Sequence, residues 1–381
     1  MNSRDLINRL LLSDGEFDRV GLFDHFWPET PGLWVEQGYP TRTIYKAGRE
    51  VVEPENPSRR FDFDMHPSGG WFNTEAIPGA AEVIEETDEW LVRRNGSGAA
   101  LKWWKHKSGT PEHIDFRMTS REIWQRDYRP HLAKEAQLSR LDGVSWKTDR
   151  SLEQDRAARE AGRAAGKWTF YGHMFIWEIM RQSLGDITMY ENLLLDPGWI
   201  KDFNRVYTDF FKAHFRLLFD EMGLPDGIWI YEDLGYRNGL FASPQVLQNL
   251  IFPYFIELVE FFHAFDLPVV FHSCGDITQA LPLIVEAGFD ALNPMERKAG
   301  CEPFDFAEQY GDHLAFVGGF DVRVLETNDR HEIKREIVNY IEGMKARNAR
   351  LIFHTDHSVT PLVTYDSYRY ALDVCRQHAM Y

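Results

Sequence analysis

From Trp168 onward the chain alternates between two patterns. Short, nearly continuous apolar runs are separated by longer stretches in which apolar residues recur every three or four positions. The runs are Trp168–Phe175, Gly227–Leu234, Pro268–Ser273, Ala291–Met295, Leu314–Gly318 and Arg350–His354. Runs of this length read as strands buried on both faces. The longer stretches read as helices. One opens at Asp196-Pro197, an N-cap residue followed by a proline suited to the first turn. It extends to about Met222, with Ile200, Phe203, Val206, Phe210 and Leu217 on its inner side. A second opens at Ser243-Pro244, with Leu247, Leu250, Ile251, Tyr254, Leu258 and Phe262 as its apolar stripe. Further helices fit at about 277–287, 303–310 and 329–347. Repeated strand–helix units imply a parallel sheet covered on both sides. With a strand near residues 20–26, and one more that the pattern does not place, the count approaches eight. An α/β fold of the (β/α)8 TIM-barrel type fits better than an open doubly wound sheet.

The first half is less regular. Residues 1–17 read as an outer helix. Arg19 to Trp27 reads as a strand stopped by Pro28 and the Pro31-Gly32 pair. Residues 38–80 are rich in Pro, Gly and Asn with little periodicity, as expected of a lid or binding loop. Asp62, Asp64 and His66 there are candidate pocket residues. Between 82 and 104, strand-like runs flank Asn95-Gly96, a strong hairpin signal. Gly96 and Gly98 mimic part of a dinucleotide fingerprint, but no third glycine or helix follows, so a nucleotide site is rejected. Residues 120–165 are charged and read as helix with a solvated face. The expected organisation is a single barrel domain over 1–381, with an N-terminal helical and irregular extension and a β-hairpin insertion at about 82–104.

Charge narrows the partners. Asp and Glu number 59 against 42 Lys and Arg, a net charge of −17. Such a surface repels nucleic acid and anionic membranes at long range. It also disfavours a substrate carrying many carboxylates. No run of 18 apolar residues is present, so no membrane span is expected. Cys274, Cys301 and Cys375 do not form a disulfide framework, and the cytoplasm is the default compartment.

A barrel gathers its chemistry at the C-terminal ends of its strands. Here those ends carry His25, His173, Glu232 and Asp233, His272 and Cys274, Glu296 and Lys298, Asp321 and Arg323, and His354 to His357. Side chains two apart on a strand face the same way, so His272 and Cys274 point together. An imidazole and a thiolate aimed one way make half of a zinc site. A third ligand must come from another strand end: His357 first, then Glu296, Glu232 or His354. Cys301 reads as a loop residue and Cys375 as a structural one.

Five stretches carry a family resemblance. They are Arg19-Val20 with Phe23 to Trp27; Glu232 to Gly239 with Ser243-Pro244; Phe271-His272-Ser273-Cys274-Gly275; Gly318 to Asp321; and His357 to Pro361. Over about 19–378 the chain resembles the uroporphyrinogen decarboxylase superfamily, in particular the branch of corrinoid-dependent methyltransferases of the methylcobalamin:coenzyme M type. The resemblance implies a (β/α)8 barrel and a zinc ion held by the His272–Cys274 pair. It implies a third ligand in the segment around His357, where the methyltransferases carry Cys and the decarboxylases His. Glu232, Asp233 and Glu296 would either support the ligands from behind or act as acid–base groups, and Asp24, His25, His173 and Arg323 would contact substrate. The implied activity is zinc-dependent methyl transfer between a small substrate or thiol and a corrinoid protein. The corrinoid would come on that partner, since the family's D-x-H-x-x-G cobamide motif is missing here. A homodimer is compatible with the resemblance. The alternative is metal-free decarboxylation, in which His357, Asp24 and Arg323 would handle a carboxylate. The arginine-rich N-terminal signature that grips a porphyrinogen is replaced here by Phe23-Asp24-His25-Phe26-Trp27-Pro28-Glu29-Thr30.

Overall fold

The structure, a computed structural model, describes residues 1–13, 15–46, 49–132, 135–142 and 151–381. Among these, eight strands form one parallel sheet: β1 (Gly21–Leu22), β2 (Met65–Pro67), β3 (Trp168–Met174), β4 (Gly227–Tyr231), β5 (Val269–His272), β6 (Ala291–Asn293), β7 (Ala315–Val317) and β8 (Leu351–Phe353). Each strand from β3 to β8 pairs in parallel with its predecessor, and β8 returns to β1. This is the order a (β/α)8 barrel requires. The strands form because Val, Ile, Leu, Phe and Trp fill both faces. Inside, Phe23, Phe170 and Trp229 pack ring against ring, with centroids 5.1–5.7 Å apart. Outside lie the helices, among them Pro197–Met222, whose apolar side is buried.

The seam between β1 and β2 is closed by Asp64. Its backbone N–H donates to the Leu22 carbonyl at 2.8 Å. Its carboxylate accepts from the Leu22 N–H at 2.8 Å, from the Ser3 hydroxyl at 2.6 Å and from both terminal nitrogens of Arg19 at 2.7 and 2.8 Å. Asp64, expected as a pocket residue, is a buried structural clasp, 3% exposed, and lines a cavity together with Arg19 and Asp62. It supplies the ladder contacts that two very short strands cannot make alone.

Several expected elements take a different form. The outer helix spans Ser3–Leu12 and ends in a left-handed Ser13. The first strand is two residues long. Within the region expected to be irregular, Thr41–Lys46 and Arg49–Pro54 pair as an antiparallel hairpin. The hairpin insertion is the core of a four-stranded antiparallel sheet, Glu82–Glu86, Trp90–Arg94, Ala99–Trp104 and Glu112–Phe116, with Asn95 and Gly96 in its second turn. The helix expected from 243 is two, Pro244–Leu250 and Phe252–His263. Pro253 has no N–H for the ladder, and its ring crowds the preceding turn. Of the charged stretch 120–165, Leu152–Ala164 forms a helix, while 133–134 and 143–150 lie outside the described residues. Among the described residues no helix is long and apolar enough to cross a membrane.

Removing the clasp should loosen the barrel without touching its mouth. Asp64→Ala leaves the partly buried Arg19 uncompensated and should lower unfolding free energy by about 3 kcal/mol in a urea titration. An unchanged midpoint would show that the seam closes without it.

Candidate functional site

The site grows from β4 and β5. Their parallel register places Tyr231 opposite His272. The pairing continues one residue further, where the Glu232 N–H donates to the His272 carbonyl at 2.9 Å. The next side chain on that edge is Asp233, and its Oδ1 accepts from the Cys274 N–H at 2.9 Å. His272 and Cys274 face the same way, as strand alternation requires. The Cys274 Sγ lies 3.5 Å from the His272 Nε2, and that nitrogen lies 3.7 Å from the Asp233 Oδ1. Donor atoms of all three fall within 4.8 Å of one another, and each side chain is half-buried. Gly275 makes the turn possible: its φ is +83°, and a Cβ there would stand 2.3 Å from the Gly235 carbonyl carbon. The loop after β4 and the loop after β5 are thus pressed together by backbone.

One sulfur, one imidazole nitrogen and one carboxylate oxygen are zinc donors. Nitrogen, oxygen and sulfur ligands about 2.0–2.3 Å from a tetrahedral ion stand roughly 3.3–3.6 Å apart; the sulfur–nitrogen separation falls in that range and the nitrogen–oxygen separation just beyond it. Burial pushes the Cys274 thiol well above its ordinary pKa, and Asp233 and Glu296 push it further. Without a cation this sulfur holds its proton, and a bound divalent ion reverses that balance. The side chains therefore fit a metal ion, and Asp233, expected as an acid–base group, is the third donor.

His357, the expected third ligand, stands outside this trio. Its ring lies against Trp27, centroids 5.6 Å apart. Burial and then Lys298 lower its pKa, while Glu296 and Asp233 act in the opposite sense. Glu296 is at the mouth. It accepts from the Gly275 N–H at 2.7 Å and pairs with Lys298 at 3.1 Å, bracing the loop that carries Cys274.

Glu232 faces away from the trio, as its neighbour on a strand must. It is wholly buried, and its carboxylate accepts from the N–H groups of Phe175 at 2.5 Å and Trp177 at 2.8 Å, at the start of the helix Ile176–Leu184. Burial and the nearby Glu178 raise its pKa, against those hydrogen bonds. It anchors a helix rather than meeting substrate.

The expected substrate residues divide. Asp24 is 4% exposed and accepts from the Thr355 hydroxyl at 2.6 Å and the Tyr368 hydroxyl at 3.0 Å. Burial lifts its pKa to about 7 despite these donors. His25 sits at the mouth, its Nδ1 3.0 Å from the Nε2 of His354. His354 is buried and its pKa falls to about 4. His173 is 1% exposed, with its Nδ1 2.6 Å from the Met174 carbonyl oxygen and its ring 4.3 Å from that of Phe72. That places it within the packing. Arg323 is occupied by a bidentate pair with Asp321 at 2.6 and 2.9 Å. Asp62 pairs with Lys167. Cys301 is buried, and its thiol donates to the Gly275 carbonyl at 3.4 Å. Sequence reasoning missed Asn293, whose Oδ1 meets the Nδ1 of His272. Its position at the end of β6, before Pro294, was the available signal.

The Glu232 assignment is testable. Glu232→Gln turns an NH2 toward a backbone N–H and should lower stability by about 1–3 kcal/mol in thermal or urea unfolding, with divalent-metal affinity unchanged. Loss of metal binding at unchanged stability would return Glu232 to the site.

The comparisons with known proteins bear on the fold. No curated protein matches the chain by sequence. A solved structure titled "methyltransferase from Methanosarcina mazei" superposes with a TM-score of 0.63 and 13% identity, over 99% of each chain. At that identity the likeness shows the fold. Residues 225–378 match the family model for uroporphyrinogen decarboxylase (URO-D), a span that holds Asp233, His272 and Cys274. Over these residues the chain is similar to the uroporphyrinogen decarboxylase family.

Proposed function

We propose that this chain is a metal-dependent methyltransferase of a corrinoid system, moving a methyl group between a small substrate or thiol and a corrinoid carried by a partner protein. The observation that carries the reading is the trio of Asp233, His272 and Cys274, spaced as ligands of one tetrahedral ion. The full-length likeness to a structure titled a methyltransferase supports it. Zinc is the ion the mixed N, O and S donors suit best. With three protein donors one position stays open, and a bound zinc would there lower the pKa of a substrate thiol.

The chain's own residues do the rest. Asp233 and Cys274 together offer two negative charges to a dication, and His272 is neutral. Glu296 holds the Cys274 loop through the Gly275 amide, and Lys298 offsets its charge. His357 packs against Trp27 and His25 meets His354, and an imidazole of this kind would take the proton a thiol sheds. Arg323 and Arg297 pair with Asp321 and Glu302, so these mouth arginines are already engaged by acids. That arrangement suits a small, weakly charged substrate better than a polycarboxylate.

The test joins metal content to turnover. The purified chain should hold about one zinc, and Cys274→Ala or Asp233→Asn should strip it. With free methylcobalamin and a small thiol, the parent should consume the cobalt–carbon bond, and Cys274→Ala should slow this at least about 100-fold. Carbon dioxide release from a porphyrinogen that survives a chelator would overturn the reading in favour of metal-free decarboxylation.

A further inference from the structure

We propose that Asn293 is a positioning residue that fixes the tautomer of His272 and aims its Nε2 into the trio. This rests on the metal-site reading above. The argument runs through donors and acceptors. The Asn293 Nδ2 lies 2.7 Å from the carbonyl oxygen of Val317, the last residue of β7. A carbonyl oxygen accepts and cannot donate, so the amide must present its NH2 there. The other amide atom, Oδ1, then faces the Nδ1 of His272. That oxygen also only accepts, so the Nδ1 carries the hydrogen. In a neutral imidazole the lone pair is then on the Nε2, the atom 3.5 Å from the Cys274 Sγ and 3.7 Å from the Asp233 Oδ1.

The residue is built into the wall that holds it. Asn293 is fully buried at the end of β6, and its backbone carbonyl accepts from the Ser273 N–H at 2.9 Å. Ser273 in turn accepts, through its hydroxyl, from the Leu234 N–H at 3.0 Å. One backbone bond and one backbone-to-hydroxyl bond thus tie β4, β5 and β6 together around His272. The neutrality of the amide matters too. A histidine ligand braced by a carboxylate becomes a stronger base and adds a negative charge to the centre. Here an amide gives the same orientation without the charge. The two charges of Asp233 and Cys274 then balance a dication, and an incoming thiolate meets no added repulsion.

Zinc competition against a chelating dye, on the full chain, compares the parent with Asn293→Leu and Asn293→Asp. Losing the acceptor in Asn293→Leu should weaken zinc about 10–100-fold. Asn293→Asp keeps an oxygen toward His272 and should stay nearer the parent. Equal losses in both variants, or parent-like affinity in Asn293→Leu, would overturn the proposal. A second readout does not depend on how either variant folds. In metal-free parent labelled with 15N at histidine, with His272→Gln to assign the signal, His272 should show a protonated Nδ1 and a bare Nε2. A protonated Nε2 would overturn the assignment. Should the parent bind no zinc, the methyltransferase reading fails, and the tautomer measurement still decides this one.

Discussion

The hydrogen bond from the Cys274 amide to the Asp233 carboxylate fixes the geometry on which the site depends. It ties the end of β5 to the end of β4 just past their last ladder contact. It acts with the Leu234–Ser273 and Asp276–Tyr236 hydrogen bonds that also join the two loops, and it is the one that reaches a donor side chain of the trio. With it, a carboxylate, an imidazole and a thiol are held close in a half-buried place where the thiol has no reason to ionise by itself. Such an arrangement is costly unless a cation completes it. The barrel supplies the rigidity, and the seam clasp at Asp64 closes the barrel.

Much of this architecture was legible in the sequence because burial writes it there. β3 to β8 are enclosed on both faces, and an enclosed strand shows as an unbroken apolar run. The helix at Pro197 announced itself through its cap, and the structure shows Asp196 accepting from the Trp199 N–H at 3.1 Å. What stayed hidden had no such signature. The hairpin over Thr41–Pro54 exposes residues on both faces, Tyr45 at 73% on one and Val51 at 37% on the other, so no alternation marks it. β2 is three residues with a proline, and Asp64 just before it carries the adjoining contacts to β1.

The site divides along the same line. His272 and Cys274 are two apart on one strand, and their convergence follows from a period of two. Asp233 joins them from a different strand, through a register that no local pattern encodes. Glu232 and Asp233 look equivalent as neighbouring acids, yet strand alternation sends one beneath a helix and the other to the trio. His357 was expected from its strand end as well as from the resemblance, and the fold rests it against Trp27. Asn293 is a short polar residue ending an apolar strand, and its meaning emerges from what lies on both sides of it.

The central claim is that these three side chains bind one ion. X-ray absorption at the zinc edge, on the zinc-loaded protein, tests it most directly. The account predicts one sulfur at about 2.3 Å, with nitrogen and oxygen neighbours at about 2.0–2.2 Å. It also predicts that the sulfur scattering vanishes in Cys274→Ala. A zinc shell of nitrogen and oxygen alone in the parent protein, or a sulfur that persists in the variant, would contradict it.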